Sequence, residues 1–284
     1  MKVAQTKTTV FLGGGRITSA LLAGLRLAKY DQPIVVHDRH PAKLRQLHRD
    51  NGITVEPDLL HAVEQAHLLI IAVRPDSVRE LLDGLLGGLL SDLLKKTRPT
   101  HPMMAVSLAA GIPLANLCRW MGKPVRWARA MPSPVARSGR GLTALTFGRD
   151  FPAGARREVR DFFARVGMVL EIPESNFDVF SVTYSSSQGY HALAALAEGA
   201  EKLGLNRKTA LTAAAHALAD GILAWREGSI PLVDLLHEAA TSGGIAAATM
   251  ASMDKAGYKR AVQRGLRAGM DRAHRYAKNK YAEK

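Results

Sequence analysis

The stretch Val10-Phe11-Leu12-Gly13-Gly14-Gly15-Arg16-Ile17-Thr18-Ser19-Ala20-Leu21 passes from strand to glycine turn to helix start, and the rest of the chain becomes legible from it. Upstream, Thr8 and Thr9 run into Val10, Phe11 and Leu12 as a short buried strand. Downstream, Ala20, Leu21, Ala23, Gly24, Leu25 and Leu27 recur at helical spacing. Gly13 and Gly15 take the first two places of a Gly-x-Gly-x-x-Gly pattern, the first for a tight turn, the second for close approach of a pyrophosphate. Thr18 holds the third place, where a small side chain still lets helix pack close to strand. Freed amides at the helix N-terminus then face phosphate. Gly13, Gly14, Gly15, Arg16 and Ile17 are thus the expected cradle of a dinucleotide. A plain glycine turn is the competing reading; the flanking strand and helix, and a second strand beyond, favour the cradle.

That second strand, Pro33-Ile34-Val35-Val36-His37-Asp38, sets the cofactor type at its end. Asp38 lies about twenty residues past the turn, where a carboxylate would bond a ribose 2′-hydroxyl and select NAD. Arg39 follows, however, with His37, His40 and Lys43 close by, and together they can neutralise a 2′-phosphate. The cations outnumber the one acid, so NADP (NADPH) is expected over NAD, with Arg39 as a ligand. Alternation then continues. Pro41 to Asn51 reads as a helix, Ile53 to Val55 as a strand, Pro57 to Gln65 as a helix and His67 to Val73 as a buried strand. Val73, Arg74 and Pro75 close that strand at the end where ligands of parallel sheets bind, and join the expected cofactor set. Asp76 to Lys96 reads as a helix, Met103 to Leu108 as a strand followed by Ala109-Ala110-Gly111, and Ile112 to Met121 as a helix. Pro124 to Ala128 reads as extended and Arg129 to Pro134 as a loop. So regular an order argues an α/β fold with a doubly wound, mostly parallel sheet.

From about Pro173 onward strands give way to Ala-rich helices: Gln188 to Lys202, Arg207 to Arg226, Pro231 to Ala240, Ala246 to Ala256 and Tyr258 to Tyr276. The expected division is a dinucleotide-binding domain over 1–172 and an all-helical domain over 173–284, whose small residues suit a subunit interface. A chain of 284 residues is long enough for both to bury a core. No apolar run is long enough to span a bilayer, and no leader-like segment precedes the first strand, so a cytoplasmic location is expected. The single Cys118 excludes an internal disulfide framework and a cysteine-based zinc cluster, and the ten histidines lack ligand spacing, so no metal is expected. The net charge of +14 gathers partly on the C-terminal helix. An apolar stripe of Val262, Leu266, Met270 and Ala273 opposite the charges reads as a solvated helix face, and no recognition motif argues for nucleic acid.

Several motifs, in order, resemble the pyrroline-5-carboxylate reductase family: Phe11 to Ile17, Ala72-Val73-Arg74-Pro75, Ala109-Ala110-Gly111-Ile112, Arg129-Ala130-Met131-Pro132 with Gly141 to Ala144, and Asp178 to Tyr190. The resemblance implies a Rossmann domain, a helical domain that builds a homodimer, and often a ring of dimers. It places Ala110 with the cofactor residues. It also implies NAD(P)H-dependent reduction of a cyclic imine to proline, a step of proline biosynthesis. Departures fall on the substrate side. Where the family has Gly-Ser-Gly-Pro-Ala, this chain has Ser185-Ser186-Ser187-Gln188-Gly189 before Tyr190, and where it has Ser-Pro-Gly-Gly-Thr-Thr, this chain has Thr241-Ser242-Gly243-Gly244-Ile245-Ala246. Ser133 stands in place of an asparagine. The resemblance leaves Ser186 and Ser242 as the expected catalytic hydroxyls and Ser185, Ser187, Gln188, Tyr190, Gly243 and Gly244 as expected substrate contacts. Three readings stay open: reduction of pyrroline-5-carboxylate, reduction of another imine or carbonyl substrate, and a nucleotide-binding paralogue without turnover.

Overall fold

The computed structural model describes residues 7–87 and 103–278. Its contacts divide the chain into two compact units, Met1–Tyr184 with Met270–Lys284, and Ser185–Gly269. The first is built on one sheet. β1 (Thr9–Leu12), β2 (Ile34–His37), β3 (Thr54–Val55), β4 (Leu68–Ile71), β5 (Met104–Ser107), β6 (Arg126–Met131), β7 (Gly141–Phe147) and β8 (Gly167–Glu171) lie in the order β3-β2-β1-β4-β5-β6-β7-β8. All neighbours are parallel except β6 and β7, which pair antiparallel.

Side-chain alternation in β1 explains why both faces are covered. Phe11 points into one apolar cluster with Leu21, Leu22 and Leu25 of α1 (Arg16–Leu27), Leu44 and Leu47 of α2 (Pro41–Asn51), and Val159, Phe162 and Phe163 of α6 (Ala153–Ala164). Val10 and Leu12 point the other way, into a cluster with Ala62 and Val63 of α3 (Leu59–Glu64), Val78, Leu82 and Leu85 of α4 (Val78–Gly87), and Leu114 and Leu117 of α5 (Leu114–Trp120). The doubly wound sheet is as the strand-helix rhythm implied. Helix α2 has the bounds read from Pro41 and Asn51, closed by Gly52 in the left-handed region. The helix read over Asp76 to Lys96 begins instead with a 3-10 turn, Pro75–Ser77, before α4; residues 88–96 lie outside the described residues.

Two differences carry meaning. Arg129 to Met131, read as loop, is the second half of β6, and the Arg129 side chain is buried. Its charge is met by α7 (Glu174–Thr183), a helix the periodicity did not reveal: Nη1 donates to Glu174 Oε1 at 2.9 Å and Nη2 to Asp178 Oδ1 at 2.6 Å. The guanidinium also lies 4.2 Å from the centre of the Phe177 ring. Beyond it, β7, α6 and β8 were passed over, because the antiparallel step from β6 to β7 interrupts the alternation that revealed the earlier strands.

The second unit is helical: α8 (Ser186–Lys202), α9 (Arg207–Glu227), α10 (Leu232–Ala239), α11 (Ile245–Lys255) and the first turns of α12 (Tyr258–Ala277). Its buried apolar residues are Ala197, Ala210 and Ala214, with Leu193 and Ala200 packed against them. The last turns of α12 belong to the sheet unit, where Asn116 Nδ2 donates to the Ala277 carbonyl at 2.7 Å and Tyr276 joins the apolar cluster of α5. Of the stripe expected on α12, Leu266 and Met270 are half-buried and Ala273 buried, while Val262 is exposed. No helix among the described residues is long and apolar enough to cross a membrane.

Candidate active site

The glycine turn sits at the C-terminal ends of β1 and β4, as Rossmann topology requires. Gly13 has φ +112°, and a Cβ there would stand 2.7 Å from the Ala72 carbonyl oxygen. Only glycine fits. Gly14 is equally enclosed: its Cβ would meet Leu47 Cδ1 at 2.7 Å. Gly15 differs, because a Cβ added there meets nothing within 4 Å. It is the N-cap of α1, and no side chain caps that helix, so amides of its first turn stay available to an anion. The Thr18 hydroxyl donates to the Gly13 carbonyl at 2.6 Å, which fixes the turn in the role expected of a third glycine.

Asp38, the acid that sequence position assigned to a ribose, turns inward. One carboxylate oxygen accepts the Gly14 amide at 2.8 Å; the other accepts the His40 amide and meets the His40 ring, each at 2.8 Å. Lys43 Nζ lies 3.5 Å away. Burial alone would raise this carboxyl, but those two amides, the His40 ring and the Lys43 ammonium hold it below its ordinary value. Asp38 is therefore the clamp of the glycine turn, while Arg39 forms no ion pair among the described residues.

A cleft of about 580 Å³ opens beside Gly15. Gly13, Gly15, Arg39, Val73 and Arg74 line it together with His37, His40 and Lys43, so five of the ten expected cofactor residues meet there. Gly14, Arg16, Ile17, Pro75 and Ala110 do not line it. Gly14 spends its amide on Asp38, Arg16 is exposed at the start of α1, and Ile17 packs against the core. The open space at Gly15, the uncapped helix and the cations Arg39 and Lys43 after β2 suit a phosphorylated dinucleotide.

The expected substrate residues lie in the helical unit and begin two helices there. Ser185 is the N-cap of α8, and its hydroxyl meets that of Ser187 at 2.7 Å. Ser186 is half-buried, and Gln188 and Tyr190 are exposed. Gly244 is the N-cap of α11, preceded by Gly243 at φ +79° and an exposed Ser242. Neither helix has a side-chain cap, so each presents unpaired first-turn amides, the donors a carboxylate needs. Sequence reasoning reached these residues through motifs and missed their shared feature, although Gly243-Gly244 before an Ala-rich run signals such an N-terminus. Cys118 is exposed, with its thiol pushed up by desolvation. No group of His, Cys, Asp or Glu among the described residues is placed to hold a metal.

Residues 174–276 match the family described as pyrroline-5-carboxylate reductase dimerisation, and residues 8–95 match NADP oxidoreductase, coenzyme F420-dependent. The chain is 31% identical to a pyrroline-5-carboxylate reductase of Mycobacterium tuberculosis, over 92% of this chain and 94% of that protein. It belongs to the pyrroline-5-carboxylate reductase family. The reductase of Corynebacterium melassecola is 28% identical over 96% of this chain and 99% of its own. Among solved structures, the Plasmodium falciparum pyrroline carboxylate reductase with NADP bound superposes with a TM-score of 0.82 at 17% identity, covering 96% of this chain and 99% of that one. The Coxiella burnetii pyrroline-5-carboxylate reductase gives 0.80 at 23% identity, covering 96% and 99%. Across these proteins the fold is held with few identical residues, so the side chains at the two sites decide what this family member does.

Proposed function

We propose that this chain reduces 1-pyrroline-5-carboxylate to proline with a nicotinamide cofactor, as a homodimer acting in the cytoplasm. The observation that carries the reading is the open, uncapped start of α1 at Gly15 beside Arg39, His40 and Lys43. NADPH, when bound, would supply the hydride. The residues that would hold it are Gly13 and Gly15 with the amides of Arg16 and Ile17 at the diphosphate, Arg39 at a 2′-phosphate, and Val73, Arg74, Pro75 and Ala110 at the nicotinamide end, with Gly14 tying the turn to Asp38. The inward turn of Asp38 supports NADP over NAD, because the acid that would select a free 2′-hydroxyl is occupied by protein donors. On the substrate side, the first-turn amides of α8 and α11 offer donors to the carboxylate, with Ser185, Ser187, Gln188, Tyr190, Gly243 and Gly244 around them. Ser186 and Ser242 carry the hydroxyls that keep the ring nitrogen protonated, because an iminium accepts hydride far better than a neutral imine.

Steady-state NADPH oxidation with pyrroline-5-carboxylate tests the proposal. Turnover, faster with NADPH than NADH, is the expected result; tight NADPH binding without turnover would overturn it. A second reading, reduction of a different cyclic imine, is favoured by the exposed Ile245 and Ala246 in the first turn of α11, where apolar side chains replace hydroxyls. Turnover confined to other imines would select it.

A further inference from the structure

The two ends of the sheet are finished differently. β3 closes one end with only two residues, Thr54–Val55, too short to recruit another strand. β8 closes the other with five, Gly167–Glu171, without a proline; its one charge, Glu171, is paired with Arg160 on the face covered by α6. Val169 points to the face covered by α6 and packs against the core there. Its neighbours Met168 and Leu170 therefore point to the opposite face. There Met168 is 64% exposed and Leu170 42%. α7 lies on that face over β6 and β7, where Phe177 and the Arg129 ion pairs seat it, while Met168 and Leu170 of β8 stay exposed. Val179 on α7 is exposed as well. Three large apolar side chains in the open beside an unpaired strand edge is what a monomer avoids.

We propose that a second copy of this chain covers the outer edge and the Met168–Leu170 face of β8, so that the subunit interface extends from the helices onto the sheet. The segment matching the family's dimerisation description starts at residue 174, three positions after β8 ends at Glu171, and includes α7 with its exposed Val179. A twofold contact that reaches α7 meets β8 next to it, and self-complementary apolar patches suit such symmetry. The inference rests on the homodimer proposed above and adds a surface to it.

Oxidative footprinting of the full-length protein, with sedimentation velocity on the same sample, separates the two ideas. A dimer in which Met168 oxidises as slowly as the buried Met104 supports the proposal. A dimer in which Met168 oxidises as fast as a free methionine overturns it and leaves the helical dimer intact; a monomer at every concentration overturns both. The paired substitution Met168→Lys with Leu170→Lys is expected to raise the dimer dissociation constant about tenfold or more. NADPH fluorescence serves as the check on folding. An unchanged dissociation constant in a variant that still binds NADPH would also overturn the proposal.

Discussion

In the sheet unit, Val10, Phe11 and Leu12 are fully buried on alternate faces, and Asp38, Arg39 and Lys43 near the glycine turn are paired with one another or face the cleft. In the helical unit the buried positions are alanines, while Leu203 is 90% and Ile245 89% exposed and Trp225, Leu232 and Val233 also stand open. The first unit completes its own core and so fixes its own site. The second has helices without enough surface to bury them on one another, and its form depends on what covers them. Substitutions in the sheet unit away from β8 should therefore act on single-chain stability, and those in the helical unit or on the Met168–Leu170 face on assembly.

The sharpest way to break the sheet unit is Arg129→Met, which removes the buried cation between Glu174 and Asp178 and over Phe177. About 3 to 4 kcal/mol is expected from urea unfolding, as for other half-broken buried pairs. Arg126→Met, whose partner Asp150 is exposed, should cost under about 1 kcal/mol. Gly13→Ala comes next, at about 2 to 3 kcal/mol, from a forbidden φ and the clash with Ala72. Gly15→Ala should leave stability within about 0.5 kcal/mol yet weaken NADPH binding in a fluorescence titration, because it fills open space rather than protein.

That contrast also shows what the sequence could and could not disclose. Gly13, Gly15 and the strand-helix rhythm were legible because turn geometry and burial leave a periodic trace. Arg129 was not: a charge in a strand reads as surface or loop until its partners, 45 and 49 residues later, are known. Asp38 was weighed as a ribose ligand and set behind the cations, but its partners Gly14 and His40 were not legible, because those bonds depend on the turn. The substrate motifs were visible as residues but not as paired uncapped helix starts, which are a property of backbone.

Asp38 offers a finer test of the sheet unit. Its pKa is lowered on folding, so its stabilisation is complete above the ordinary aspartate value of about 3.9 and is lost as pH falls through the lower folded value. Asp38→Asn keeps one acceptor for three donors and should cost about 2 kcal/mol at pH 7. The gap between wild type and variant should shrink as unfolding is repeated at progressively lower pH; a constant gap would mean that the carboxylate charge is not what holds the turn. Arg39→Ala, by contrast, removes a side chain with no ion pair among the described residues, so stability should hold. NADPH affinity should fall about tenfold while NADH affinity stays level, as expected of one charge-assisted contact worth about 1.4 kcal/mol.

The smallest expected effect belongs to the helical unit. Ile245→Thr replaces an exposed β-branched side chain at the start of α11 by one of similar shape and helix propensity. In a lone chain the change should stay within about 0.5 kcal/mol, because nothing is packed against the lost methyl. Thermal unfolding at two protein concentrations distinguishes the cases. A midpoint equal to wild type at both means that Ile245 remains open to solvent in the assembled protein and is free to meet substrate. A midpoint lowered only at the higher concentration means that a second copy covers the residue, since only burial supplied by assembly makes a loss depend on concentration. The substitutions at Arg129, Gly13 and Asp38 carry no such signature, because the partners of those residues lie on the same chain.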